Sequence, residues 1–315
     1  AQNKYFIPLL SRYLIQISPP IKNANGILII GGNTKIRLID RAKKKVYVIL
    51  KKGFDSKYLT KEIEVRSKFK FIPTPEIKFI NKSPYWYIEE YISGSSPDRM
   101  NNKKGEEIII KATKYIHKML KSSTQKELVS LYISTLERKI EGCFSDSSNI
   151  NLEIRDRIKK IVELIVNKLE KYGDMHINTA YCHGDFQLGN IICNKNLKFW
   201  IIDWEFSGKK QISYDLLVLL LKSRYKNGLT KRFINLIDNN INKFNLNLMS
   251  NWPGISFENK KEMGVSLLIF IFEELIFHVS ESSNKQFYPN FQSLEERLNQ
   301  FESISKLPIF HMINK

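Results

Sequence analysis

The spacing of apolar residues changes character once along this chain, and that change constrains the fold more than any composition figure does. Up to residue 92 the chain consists of short runs rich in Ile, Val and Tyr: "GILII" (26–30), "KIRLI" (35–39) and "KVYVILK" (45–51), set apart by the turn signals "GGNT" and "DRAKK". Runs of this length and composition predict consecutive antiparallel strands, whose side chains alternate between faces. "SKYLTKEIEVRSKFKF" (56–71) interposes one short helix with Leu59, Ile63, Arg66 and Lys70 on one side. "PEIKFINKSPYWYIEEYI" (75–92) then returns to strand character around a turn at 81–84. "SGSSPD" (93–98) breaks the pattern, and helical spacings dominate beyond it. Ile154, Ile158, Ile161, Ile165 and Leu169 fall on one stripe of a long helix. A strand-loop-strand island at 180–203 interrupts the helices, so the expectation is a sheet unit over 1–92 and a larger helical unit over 93–315 with one hairpin-like insertion.

Composition narrows the class. A chain of 315 residues with 43% hydrophobic residues can bury a sizeable core, which excludes a disordered protein. "GVSLLIFIF" (264–272) is about half a membrane span and runs into Glu273 and Glu274, so it reads as a buried helix. The first residues show no basic region followed by a long apolar stretch, and the three cysteines have no C-x-x-C spacing. Together these predict a cytoplasmic protein with neither a disulfide framework nor a zinc site. The net charge of +18 comes mostly from Lys, and it is uneven: residues 1–92 carry 18 basic and 7 acidic side chains, residues 93–315 carry 32 and 25. Such a balance suits an anionic partner and equally suits a Lys-, Asn- and Ile-rich compositional background; peripheral contact with an anionic membrane surface is compatible with it. No nucleic-acid-binding motif accompanies the charge, so nucleic acid is not the expected partner.

The island carries the chemistry. "YCHGDFQLGN" (181–190) offers the Asp185 carboxylate and the Asn190 amide oxygen, and Asp203 follows at the end of "FWIID". Two carboxylates and an amide carbonyl are hard oxygen donors of the kind that suit Mg²⁺ together with phosphate oxygens. H-x-D-x-x-x-x-N followed by a second Asp is the catalytic-loop and metal-ligand spacing of kinases. "HGDFQLGNII", "IIDWEFSG" and "YDLLVLL", in this order, resemble the aminoglycoside phosphotransferase and choline kinase superfamily, small-molecule kinases with the protein-kinase-like fold. "DLL" in place of the family's D-L-A is a mild departure.

The resemblance implies an α+β, bilobal fold: an ATP-binding sheet lobe over 1–92 and a helical lobe over 93–315 holding the catalytic loop, metal site and acceptor pocket. It implies Asp185 as the base that orients the acceptor hydroxyl, His183 as a brace in the same loop, and Asn190 and Asp203 as ligands of Mg²⁺. Of the lysines ending the third strand, it implies Lys51 on the phosphates, with Lys52 as the alternative, and Glu62 as the partner of that lysine, ahead of Glu64. Gly31 and Gly32 stand where a turn would cover the phosphates of ATP or GTP, and the backbone around Glu90 and Tyr91 where the adenine would be held. Asp215, with Ser213 before it, reads as a capped helix start. Only eleven residues separate Asp203 from Asp215, too few for a peptide platform, so the acceptor is a small hydroxyl compound.

A sugar or an amino alcohol is the expected acceptor class. An aminoglycoside would need an acidic pocket, for which Glu273 and Glu274 are candidates. Choline would need an aromatic box, for which Trp204, Tyr214 and Trp252 are candidates. The reading from a different class is a catalytically inactive kinase-like module that binds anionic lipid or nucleic acid.

Overall fold

The computed structural model describes residues 26–32, 34–82, 85–145, 150–238, 240–282 and 292–307. The reading of the first residues, Asn33 of "GGNT" and the tip of the 81–84 turn lie outside the described residues. Five antiparallel strands form the first sheet: β1 (Ile27–Gly31), β2 (Lys35–Asp40), β3 (Lys45–Leu50), β4 (Ile77–Lys82) and β5 (Tyr85–Glu90), in the order β1-β2-β3-β5-β4. Helix α1 (Lys57–Lys68) links β3 to β4. The register sets Lys35 opposite Leu50, Arg37 opposite Val48 and Ile39 opposite Val46. Directly opposed residues share a face, so two cations of β2 stand on the face whose apolar part, Val46 and Val48, packs with Leu59 of α1 and Tyr87 of β5.

Beyond "SGSSPD" the chain is mostly helical. Helix α2 (Asn102–Ser123) starts where the Asn101 side chain accepts from Lys104 N (2.9 Å), and α3 (Val129–Ser145) follows. Helix α4 (Leu152–Leu169) starts where Asn151 accepts from Ile154 N (2.7 Å), and it buries all five members of the stripe Ile154, Ile158, Ile161, Ile165 and Leu169. These caps satisfy first-turn N–H groups that have no partner inside the helix. Five more α-helices follow among the described residues: α5 (Tyr214–Leu221), α6 (Leu229–Ile237), α7 (Lys243–Ser250), α8 (Lys260–Ser282) and α9 (Gln292–Ser305). Helix α8 is long and apolar enough to cross a membrane, yet most of it is buried inside the protein, where it packs against α3, α4 and α9.

The island is richer than a single hairpin. β8 (Ile191–Cys193) and β9 (Phe199–Ile201) form the expected hairpin, but β6 (Gln125–Leu128) and β10 (Gly208–Gln211) flank β7 (His176–Cys182) in a second, three-stranded sheet. "QKEL" and "GKKQ" carry no apolar alternation, so their strand state is conferred by the β7 edges they pair with. The linker is stitched to the hairpin by Ser95 N to Cys193 O (2.9 Å) and Cys193 N to Ser95 O (2.8 Å). Gly94 makes this approach feasible, since a Cβ there would sit 2.5 Å from the Cys193 carbonyl oxygen.

Glu273 and Glu274, in the middle of α8, do not form an open acidic patch; both are buried and bonded within the protein. Burial pushes the Glu273 carboxyl up to about 7, against the opposing pull of Lys210 and of the hydrogen bond from Tyr132. Its Oε1 accepts from Tyr132 Oη (2.5 Å) and Gln211 N (3.2 Å), while Oε2 has no hydrogen-bond partner among the described residues. A carboxyl whose pKa rises on folding holds more protons folded than unfolded. Its contribution is therefore present below the unfolded pKa and lost as pH rises through 7. Glu273→Gln removes this titration and keeps the accepting oxygen. Between pH 5 and pH 8, urea unfolding should shift in favour of the variant relative to the parent by roughly 2–3 kcal/mol; a difference independent of pH would count against a buried, protonated Glu273.

Candidate active site

The loop from His183 to Asn190 leaves β7 and is fixed at both ends. Gly184 adopts φ +83°, and a Cβ there would collide with the Phe206 carbonyl, so only glycine fits. Asp215, in the first turn of α5, accepts from His183 N (2.7 Å) and Gly184 N (2.9 Å). The expected cap is absent: the Ser213 hydroxyl donates to Gln211 Oε1 (2.8 Å), and the acid of the helix start instead braces the loop. His183 is wholly buried, with its ring 4.2 Å from that of Trp204. Burial lowers its pKa, and the neutral ring then has a consistent tautomer: Nε2–H donates to Ile202 O (3.0 Å) and Nδ1 accepts from Asp185 N (3.2 Å). One imidazole thus ties the Asp185 loop to the segment that carries Asp203.

Asp185 has only 7% of its surface exposed. Its Oδ1 accepts from Arg224 Nε (2.6 Å), and Oδ2 accepts from Asn190 Nδ2 (2.8 Å) and Gln187 Nε2 (3.0 Å). Burial raises its pKa and Arg224 opposes the rise. The Asn190 amide nitrogen also donates to Asp185 O (2.8 Å), which turns its Oδ1 the other way, and Ile202 N donates to Asn190 O (2.9 Å). Asp203 follows, in the left-handed region at φ +71°, a strained conformation for a residue with a Cβ.

The lysine that reaches Glu62 is Lys35 at the start of β2. Its Nζ lies 2.5 Å from Glu62, 2.7 Å from Asp203 Oδ1 and 3.5 Å from Glu205, with 1% of the side chain exposed. Arg37 Nη2 joins the same Asp203 oxygen at 3.1 Å, and Arg66 bonds Glu62 (2.9 Å) and Glu89 (2.7 Å). Burial by itself would lower the Lys35 pKa, but Asp203 and Glu62 more than offset it and raise the pKa; burial would raise that of Glu62, but Lys35 and Arg66 bring it down to about 2. Lys51 sits one residue beyond β3, its N–H donating to Thr34 O (2.9 Å) and its side chain within electrostatic reach of Glu205. The pairing differs from expectation because register puts Leu50, not Lys51, opposite Lys35. A sequence signal existed: "KIR" sets two cations two positions apart in an otherwise apolar run, hence on one face.

The remaining expected residues are placed as follows. Gly32 N donates to Lys35 O (2.8 Å), closing the turn after β1, and the Thr34 hydroxyl donates to Glu205. Burial, with Asp203 adding to it, pushes Glu205 up to about 7 despite Lys35. The N–H groups of Glu90 and Tyr91 already donate to Glu76 O (2.9 Å) and Lys44 O (3.1 Å), so neither is open to an adenine ring. Glu64 is exposed. Trp204, Tyr214 and Trp252 are core residues whose polar atoms donate to Ile201 O, Glu274 Oε1 and Ile212 O, so they form no aromatic box. Arg224, which no motif singled out, is bonded to Asp185 and Glu274.

The donor set suits a Mg²⁺ ion. Asp203 Oδ1 takes both cations of β2 while its Oδ2 has no hydrogen bond among the described residues, and Asn190 presents an amide oxygen because its nitrogen is committed to Asp185. Both are hard oxygen donors, and an ion that keeps several waters and phosphate oxygens asks for no more protein ligands than these. The brace can be tested without any ligand. Asp215→Asn replaces one acceptor of a buried N–H by a donor, and should cost about 2 kcal/mol of stability by chemical unfolding. An unchanged midpoint would show that the loop does not depend on it.

Comparison with known proteins bears on the family and the fold. The family model described as choline/ethanolamine kinase matches residues 79–243. A choline/ethanolamine kinase family protein from Mesorhizobium loti superposes with a TM-score of 0.57 at 17% identity, covering 97% of this chain and 93% of its own. The choline kinase LicA from Streptococcus pneumoniae gives 0.59 at 13% identity, with 89% and 94% covered. A thermostable mutant of the aminoglycoside phosphotransferase APH(4)-Ia gives 0.59 at 10% identity, again with 89% and 94% covered. No curated protein matches the chain by sequence. These likenesses bear out the α+β bilobal protein-kinase-like fold.

Proposed function

The chain belongs to the choline/ethanolamine kinase family, and from that premise we propose that it transfers the γ-phosphoryl group of Mg²⁺-ATP to a hydroxyl of a small molecule, a sugar or an amino alcohol. The observation that carries the reading is the convergence of Asp185, Asn190, Asp203, Lys35 and Glu62 from three sheets and a helix onto one site. The nucleotide lies between the sheet lobe (1–92) and the helical lobe (93–315). Phosphoryl transfer has a loose transition state, so alignment and charge neutralisation supply most of the rate.

Each side chain then has a task. The acceptor hydroxyl donates to the remaining lone pair of Asp185 Oδ1, opposite the fixed Oδ2. Its oxygen forms a bond to the γ-phosphorus as the bond to the bridging oxygen breaks; ADP leaves and the hydroxyl proton passes to Asp185. Lys35, held by Glu62, turns its ammonium from Asp203 to the phosphates, and takes the role expected of Lys51. Asp203 and Asn190 would hold Mg²⁺, which neutralises phosphate charge when bound. His183 holds the loop and exchanges no proton with the substrate. Thr34, bonded to Glu205, draws the turn after Gly32 over the phosphate end.

Three substitutions test the assignment through ADP release with a panel of sugars and amino alcohols. Asp185→Ala should lower kcat on the order of 10²–10⁴-fold; a variant equal to the parent would remove the main support for the kinase reading. Lys35→Met should raise the KM for ATP and lower kcat, together on the order of 10²-fold, while Lys51→Met stays within a few-fold of the parent. The reverse order would return the phosphate role to Lys51.

A further inference from the structure

We propose that Arg224 is a positioning residue for phosphoryl transfer: it fixes which lone pair of Asp185 receives the acceptor hydroxyl, and Glu274, in the middle of α8, holds it to that task. The role rests on the phosphotransferase reading above, and no motif that led to that reading contains either residue.

A carboxylate has about four lone-pair sites to offer. On Asp185, Oδ2 takes Asn190 Nδ2 (2.8 Å) and Gln187 Nε2 (3.0 Å), and Oδ1 takes Arg224 Nε (2.6 Å). One site on Oδ1 remains, and its direction is set by the arginine beside it. Arg224 also donates from Nη2 to Gly184 O (3.2 Å), the carbonyl that precedes Asp185. One planar guanidinium therefore fixes the carboxylate and its backbone together, a grip that a lysine ammonium, as a point charge, would not give.

Arg224 is itself held. With 10% of its side chain exposed, it donates from Nη1 to Glu274 Oε2 (2.5 Å) and Ser223 Oγ (3.1 Å), and from Nη2 to Tyr214 Oη (3.2 Å). Tyr214 Oη donates in turn to Glu274 Oε1 (2.5 Å), and the guanidinium carbon stands 3.8 Å from the centroid of the Phe277 ring. The backbone that carries Arg224 is anchored from the other side. Arg232 of α6 donates to Leu221 O, Lys222 O (3.3 Å) and Asn227 O (2.8 Å), while Arg297 and Gln300 of α9 donate to Tyr225 O (3.3 Å) and Lys226 O (2.8 Å). A buried acid, a phenol, an aromatic face and two helices thus hold one side chain against the catalytic loop.

The chemistry rewards such a grip. In a loose transition state the hydroxyl gives up its proton late, so the direction from which Asp185 meets it matters more than the strength of the base. A carboxylate beside an arginine is a weaker base and a better-aligned one. Without Arg224, Asp185 keeps Asn190 and Gln187 on one oxygen only, and the other is free to turn away from the line of transfer.

The test measures ADP release with the best acceptor of the sugar and amino-alcohol panel, for the parent, Arg224→Ala, Glu274→Gln and the double variant. Arg224→Ala should lose on the order of 10²-fold in kcat, the cost of a misaligned reacting group, while the KM for ATP stays within a few-fold of the parent. Guanidinium chloride, far below denaturing concentration, should restore part of that kcat and leave Asp185→Ala unmoved. Glu274→Gln should lower kcat by less than Arg224→Ala, and should add no further loss in the double variant, because both act through one contact. Should Arg224→Ala fail to fold, since it leaves Glu274 buried without its cation, the double variant carries the same guanidinium test. An Arg224→Ala kcat equal to the parent's overturns the proposal. So do additive losses for the pair, and so does a kcat that falls together with stability and gains nothing from guanidinium, which would make Arg224 a brace of the fold alone. The two readings fail separately. A parent that releases ADP with no acceptor ends the phosphotransferase reading and the positioning role with it, whereas a parent that turns over beside an equally active Arg224→Ala defeats the positioning role alone.

Discussion

The site depends on one buried ammonium. Lys35 Nζ, almost fully removed from water, stands among Glu62, Asp203 and Glu205, and no single one of these groups could be buried alone without a penalty of several kcal/mol. The ion pairs continue on both sides, to Arg66 and Glu89 within the sheet lobe and to Arg37 on Asp203. They fasten β2 and α1 of one lobe to the segment after β9 in the other. Because Asp203 is strained at positive φ, the same cations that draw its charge also keep its backbone in place.

The catalytic loop obeys a similar logic with neutral partners. A buried Asp215 collects two backbone N–H groups, and a buried neutral His183 joins the two loops by one bond given and one accepted. Asp185 is left with one open lone pair, on the oxygen beside Arg224. The neighbouring cluster is cation-rich, since Lys35 and Arg37 share one oxygen of Asp203. Beside Asp185, Arg224 spends its donors on Asp185, Glu274, Ser223, Gly184 and Tyr214.

Much of this was legible in the residues. The change of period at "SGSSPD", the α4 stripe and the order of Asp185, Asn190 and Asp203 each follow from local spacing, and each corresponds to an element of the structure. The strands β6 and β10 were not legible, because polar tetrapeptides become strands only beside β7. The resemblance implies Lys51 beside Glu62, whereas the folded chain pairs Lys35 with it. The N–H groups of Glu90 and Tyr91 are engaged by Glu76 and Lys44, pairings that no local pattern shows.

The sequence by itself determined the two kinds of lobe, the catalytic loop and the second aspartate, because alternation, helical spacing and a short motif are properties of neighbours along the chain. Only the tertiary structure decided which lysine pairs with Glu62, what Asp215 holds and what stands beside Asp185. Those outcomes depend on charges brought together across 168 positions for Lys35 and Asp203, and across 39 and 50 for Arg224 with Asp185 and Glu274. No local pattern records such a meeting: a buried charge finds its counterion only when the whole chain has folded around both.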